Sequence, residues 1–135
     1  MQWDSSPSAG FTTGTPWLPV AADYTAYNVS AESEDPTSML TLFRKLLVLR
    51  RSSPALSIGE YTDIPSDAPD VFSYMRQHED DRMLVVLNFS HEPRTFTMAT
   101  ASAAHVAAST VPGRNGEVEL ANVMLAPDEG LILRL

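Results

Sequence analysis

The chain has 135 residues and a mass of 14.8 kDa, enough for one well-buried core, and its 44% hydrophobic and 19% charged content is that of a globular protein. A formal net charge of -8 and a pI near 4.6 exclude a partner that needs clustered Lys and Arg, such as nucleic acid or an anionic membrane surface. With zero Cys there are no disulfides or thiolate metal sites, and with no basic-then-apolar leader or membrane-length apolar run the expected setting is soluble and cytoplasmic.

The first stretch, MQWDSSPSAGFTTGTPWLP, is too rich in Gly, Pro, Ser and Thr for a helix or paired strands. Trp3, Phe11 and Trp17 lie among Pro7, Gly10, Gly14, Pro16 and Pro19, which set turns. Aromatics on such a loop are expected to pack into a core, or else to line a site. Nothing precedes Met1 for them to pack onto, so the chain reads as a piece of something larger.

Residues 20–33 read as irregular, with Tyr24, Tyr27 and Val29 as packing points. Asp35-Pro36 is expected to open the one convincing helix, Asp35 capping the free amides and Pro36 taking the first helical position. Met39, Leu42, Phe43, Leu46 and Leu49 recur at helical spacing, with Leu40 and Leu47 widening a face that needs partners on more than one side. Pro54 predicts an end near Ser52-Ser53.

From Ala55 the pattern becomes β-rich. Strands are expected over 56–62, 71–78, 82–89, 94–98, 105–110, 118–120, 122–125 and 131–135, separated by clusters of Pro, Gly, Asp and Ser. Many short strands without intervening helices indicate an antiparallel sandwich. The nearly unbroken apolar run Met83 to Phe89 predicts a central strand, and Asn115-Gly116 the tight turn. The stretch from Ala99 to Ala108 is merely Ala/Ser-rich. Asn28-Val29-Ser30 and Asn88-Phe89-Ser90 are formal glycosylation sequons.

No catalytic constellation emerges. Glu32, Glu34 and Asp35 suit a helix entrance, Asp80-Asp81 suits a hairpin turn, and Asp4 suits a loop carboxylate bonded to nearby amides. His78, His91 and His105 are scattered over separate β segments, with no pair at helical or hairpin ligand spacing, so no metal site is expected. There is no Gly-x-Ser-x-Gly elbow, and Gly113-Arg114-Asn115-Gly116 lacks the Lys-Ser/Thr of a phosphate loop. No cofactor is expected.

The order of MQWD, AGF, GTPWLPV, Phe43-Arg44-Lys45-Leu46, Leu49-Arg50-Arg51, Pro54-Ala55-Leu56, Gly59-Glu60-Tyr61, Val71 to Arg76 and Leu84 to Ser90 resembles the end of an α-amylase-superfamily glycoside hydrolase, in its α-glucosidase and oligo-1,6-glucosidase branch. Gly14-Thr15-Pro16-Trp17 favours that branch over the trehalose-synthase-like one. The resemblance implies a mainly β fold: residues 1–54 would be the loop after the last strand and the last helix of a (β/α)8 catalytic barrel, and residues 55–135 a C-terminal antiparallel β-sandwich. It also implies that Trp3, Asp4, Phe11 and Trp17 border a substrate pocket. Retaining hydrolysis needs two carboxyl groups about 5–5.5 Å apart across the scissile bond. In the family the three catalytic carboxylates precede MQWD, so none maps onto this sequence, and the chain alone is expected to be inactive. Met1 coincides with the Met of that motif, as from a start at an internal methionine or a truncated gene. The expected partners are the barrel itself and, only in its context, an α-glucoside or oligosaccharide. Two other readings stand beside this one: a stand-alone carbohydrate-binding sandwich, and a non-catalytic interaction subunit like the amino-acid-transporter heavy chains.

Overall fold

A computed structural model describes residues 2–99 and 103–135. Met1 of the opening motif and residues 100–102 of the Ala/Ser-rich stretch lie outside the described residues. The chain forms two compact units, Met1–Lys45 and Leu46–Leu135, with the boundary inside a helix.

The first unit holds a short turn at Pro7–Gly10, helix α1 (Val29–Glu34) and the start of helix α2 (Met39–Ser52). The segment expected to be irregular therefore contains a helix, and Asp35-Pro36 opens none. Asn28 wins the first cap: it is extended at φ -151° and accepts the Ala31 amide at 2.9 Å. Ser38 wins the second, its hydroxyl accepting from Thr41 N at 3.1 Å while the Glu32 carboxylate takes Leu40 N at 3.1 Å. Asp35 folds back locally instead, accepting from Thr37 N at 2.8 Å and Thr37 Oγ1 at 2.7 Å. These hydrogen bonds hold its carboxyl below the ordinary carboxylate value.

Helix α2 buries none of its residues, and Met39, Phe43, Leu47 and Val48 are exposed. A second unforeseen helix follows, α3 (Pro54–Ile58), so the first strand starts at Glu60 rather than Leu56. Ser53, extended at φ -112°, ends one helix and caps the next through Leu56 N at 3.3 Å. Pro54 fills the first position of the new helix.

The second unit is an antiparallel sandwich. Strands β1 (Glu60–Asp63), β2 (Val71–His78), β3 (Asp81–Asn88), β4 (Arg94–Phe96), β5 (Ala103–Ser109), β6 (Glu117–Glu119), β7 (Val123–Leu125) and β8 (Gly130–Arg134) follow in order. Among the described residues one sheet runs β1-β2-β3-β8-β5-β6, and β4 pairs with β7 in a second. The inner face of the large sheet carries Val71, Leu84, Val86, Ala104, Leu131 and Leu133, packed against Phe96, Leu120, Val123 and Leu125. The Met83-to-Phe89 run is interior, as expected, because β3 lies between β2 and β8. It is apolar on both faces because α3 also contacts the outer face, where Met83 and Val85 are buried.

The tight turn is not Asn115-Gly116. Asp81 pairs with His78, so Glu79-Asp80 is the two-residue link, with Glu79 at φ 51°. Asn115-Gly116 instead ends the longer loop between Ser109 and Glu117.

Candidate functional site

The opening loop is shaped by its backbone. Trp3 N donates to Ala9 O at 3.0 Å and Ala9 N to Ser6 O at 2.9 Å, closing a small ring around buried Ala9. Ser8, Ala9 and Gly10 all lie in the left-handed region, at φ 58°, 54° and 71°. For Ser8 and Ala9 that conformation costs on the order of 1 kcal/mol each or more. At Gly10 a side chain is excluded on a second ground: a Cβ would stand 3.0 Å from the Asp4 carboxylate and 3.1 Å from Trp3 Cβ. The ring is tied to α1, where Val29 N donates to Gln2 O at 2.9 Å and Ser30 N to Trp3 O at 3.0 Å.

Asp4 accepts hydrogen bonds from the Ser6 hydroxyl and from Ser6 N, the latter at 2.8 Å. The hydroxyl chiefly, then the amide, hold its carboxyl below the ordinary value. This is the loop carboxylate expected from the sequence. The expectation that the aromatics pack into a core is overturned in this chain: Trp17 is 90% exposed, and Trp3 and Phe11 are more than half exposed. Phe11 and Trp17 both line a concavity of about 570 Å³, together with Pro16, Leu18, Pro19 and Val20. Trp3 and Asp4 do not line it. A cavity of this size, apolar and open, suits one or two sugar rings or an apolar side chain.

Two carboxylates in the sandwich make contacts that the sequence reading does not anticipate, and Asp81, expected in a hairpin turn, opens strand β3 instead. Glu129 is buried and accepts from Ser109 Oγ at 2.7 Å, Arg114 Nη1 at 2.5 Å and Ala126 N at 2.8 Å. Asp81 reaches across to the start of α3, accepting from Ser53 Oγ at 2.5 Å and Ala55 N at 3.0 Å. The Ser53 hydroxyl is the main reason its carboxyl lies below the ordinary value. In both sites the carboxylate is engaged by structural hydrogen bonds, which is the arrangement of braces rather than of reacting groups. The two sequon asparagines are likewise spent on the fold. Asn28 donates to Tyr24 O at 2.9 Å, and Asn88 to Glu92 O and Ala126 O, each at 2.8 Å.

Tyr61, Phe72 and Phe89 are exposed. Phe96 alone of the sandwich phenylalanines enters the core. His91 sits 2.9 Å from Asp128 on the surface. Among the described residues no three His, Asp or Glu side chains converge as a metal site would require, and no helix is long and apolar enough to cross a membrane.

An irregular loop and a set of helices, the amphipathic α2 among them, followed by an antiparallel sandwich define the carboxy-terminal architecture of a carbohydrate-active enzyme class. Residues 1–59 match the α-amylase catalytic-domain family, and residues 61–121 match the maltogenic amylase C-terminal domain family. The chain belongs to the α-amylase superfamily of glycoside hydrolases and corresponds to its carboxy-terminal portion. Its relatives there are glucosidases and related enzymes. It is 34% identical over its whole length to trehalose-6-phosphate hydrolase of Bacillus subtilis (strain 168), and 40% identical over 73% of its length to an oligo-1,6-glucosidase of Parageobacillus thermoglucosidasius. It covers 24% and 17% of those proteins, respectively. Among solved structures, the trehalulose synthase MutB from Pseudomonas mesoacidophila MX-45 superposes with a TM-score of 0.86 at 37% identity, over 98% of this chain and 24% of that one. The isomaltulose synthase PalI from Klebsiella sp. LX3 gives 0.88 at 29% identity, over 98% and 24%. The chain thus matches a quarter or less of the length of each of these relatives.

Proposed function

We propose that this chain serves as the carboxy-terminal part of an α-glucosidase-like enzyme that hydrolyses α-glucosidic bonds of oligosaccharides. In this reading residues 1–54 complete a (β/α)8 barrel and residues 55–135 brace it as a sandwich. The chain contributes no catalytic carboxylate, and Trp3, Asp4, Phe11 and Trp17 border the substrate pocket. The observation that carries the reading is α2: an amphipathic 14-residue helix with no buried residue, inside the segment matching a catalytic domain. Such a face is stable only against a partner that the chain itself does not supply. The exposed Phe11–Trp17 pair supports the pocket assignment in the same way, since apolar rings held on a strained loop are suited to stack on a sugar.

The test is a chimera. The matching tail of the Parageobacillus thermoglucosidasius oligo-1,6-glucosidase is replaced by this chain and assayed on isomaltose. Retained hydrolysis, lowered by Trp17→Ala with the fold intact, is the expected result. A soluble, folded chimera without activity counts against the reading.

A further inference from the structure

The chain has asparagines at positions 28, 88, 115 and 122, and the fold treats them differently. An asparagine is open to one reaction with its own backbone, in which the next residue's amide nitrogen attacks the side-chain carbonyl carbon. That attack needs a side chain able to leave its partners, a following nitrogen without an acceptor, and room to close a ring.

Asn28 and Asn88 meet none of these conditions. Asn28 is buried, donates to Tyr24 O and Thr25 O, and accepts from Ala31 N. Asn88 is buried, donates to Glu92 O and Ala126 O, and accepts from Ser90 N. The nitrogens that would attack are also taken: Val29 N donates to Gln2 O and Phe89 N to Asp70 O, each at 2.9 Å. Asn122 is exposed, but its neighbour Val123 is β-branched, buried and paired with Phe96 in the second sheet.

Asn115 meets all three. It lies exposed in the loop between β5 and β6, where Nδ2 to Gly113 O at 2.9 Å is its one side-chain hydrogen bond among the described residues. Gly116 N donates to no acceptor among the described residues, while Gly116 O accepts from Val106 N at 2.8 Å and pins the residue to β5. No Cβ shields the Gly116 nitrogen, and one built there would meet nothing within 4 Å. At φ +90° the position favours glycine, so the fold itself keeps an unshielded nitrogen after Asn115.

We propose that Asn115-Gly116 is a self-modification site at which the folded protein deamidates to isoaspartate and aspartate. The Gly116 nitrogen bonds to Asn115 Cγ, the Cγ–Nδ2 bond breaks, and ammonia departs with the proton that Gly116 N gives up. Water then opens the resulting succinimide at either carbonyl. One opening leaves aspartate in the ordinary main chain, and the other routes the chain through the side chain as isoaspartate. Either product adds one negative charge, and isoaspartate also lengthens the main chain by one carbon. The residue next door is Arg114, which holds the buried Glu129 carboxylate. The modification therefore falls on the brace that ties this loop to the turn before β8.

The native product, captured from source cells with an antibody to this segment, supplies the test. It is incubated folded in mildly alkaline buffer, with a urea-unfolded portion in parallel. Each asparagine peptide is then read by mass and by isoaspartyl methyltransferase labelling. In the folded product Asn115 is expected to convert severalfold faster than the other three asparagines, with isoaspartate the major form, and unfolding barely raises its rate. An Asn115 that survives in the folded product but converts in urea would show that the fold or a partner shields it. An Asn115 inert in both would show that the dipeptide is not labile, and either result overturns the proposal. The deamidated fraction, separated by its added charge, is expected to unfold at lower urea than the unmodified fraction. An equal midpoint would overturn the link to the Arg114 brace.

Discussion

Arg114 Nη1 stands 2.5 Å from the Glu129 carboxylate, whose side chain has no exposure to solvent, and Arg114 Nη2 donates to Met124 O at 2.6 Å. One guanidinium thus joins the long loop after β5 to both the β7 backbone and the turn before β8. Replacing it strands a buried charge. Arg114→Met is expected to cost about 3 kcal/mol, the lower end of the range for breaking a buried pair, because Ser109 and Ala126 still hold the carboxylate. Urea midpoints measure this, and Glu129→Gln added to Arg114→Met should recover much of the loss. A single variant within about 0.5 kcal/mol of the parent would show that the pair does not brace the loop.

Asp81 gives a pH dependence with a definite sign. Its folded carboxyl lies below the ordinary value, chiefly through the Ser53 hydroxyl, so it stabilises the fold above the unfolded carboxylate range near about 3.9. That contribution disappears as pH falls through the lower, folded value. Asp81→Asn should be less stable near neutrality and lose less stability on acidification than the parent. Urea midpoints between pH 6 and pH 2 measure both slopes, and parallel curves would contradict the assignment.

Gly59 is fixed by close approach rather than by backbone angle. A Cβ there would stand 2.4 Å from Ala55 O and 2.7 Å from Gln77 O, both backbone atoms that cannot rotate away. Gly59→Ala is therefore expected to destabilise by about 1–3 kcal/mol by forcing α3 off β2. An unchanged midpoint would show that α3 can shift freely.

The strands were legible because their signals are local. The Val71–His78 expectation matches β2 to the residue, since alternation and flanking turns define it. The helix boundaries were not, because Asn28, Asp35 and Ser38 compete as caps within eleven residues and hydrogen bonds across the turn decide among them. The burial of Glu129 has no local signal, because its partner Arg114 is fifteen positions away and is brought to it only by the fold. The exposure of Trp3, Phe11 and Trp17 depends on what packs against them, which no window of sequence contains. Their role as a pocket border came from the resemblance alone, and of the four residues only Phe11 and Trp17 line one concavity.

Backbone hydrogen bonding predicts where the isolated chain is cut. The loop from Thr12 to Val20 is mostly exposed, with Gly14 N to Thr12 Oγ1 at 3.0 Å as a local tie, whereas β2 and β3 are paired along their whole length. Limited proteolysis should cleave first within residues 1–33 and leave the segment from about Ala55 protected. First cuts between Val71 and Phe89 would contradict this order of stability.

The most direct test of the central claim is the size of the native product, read by blotting source-cell extract with an antibody to this segment. The account predicts a band several times heavier than 14.8 kDa, in which the bare face of α2 is covered and hydrolysis of α-glucosides is measurable. A band at 14.8 kDa would contradict it, leaving a sandwich with no catalytic carboxylates to act as a binding or interaction module.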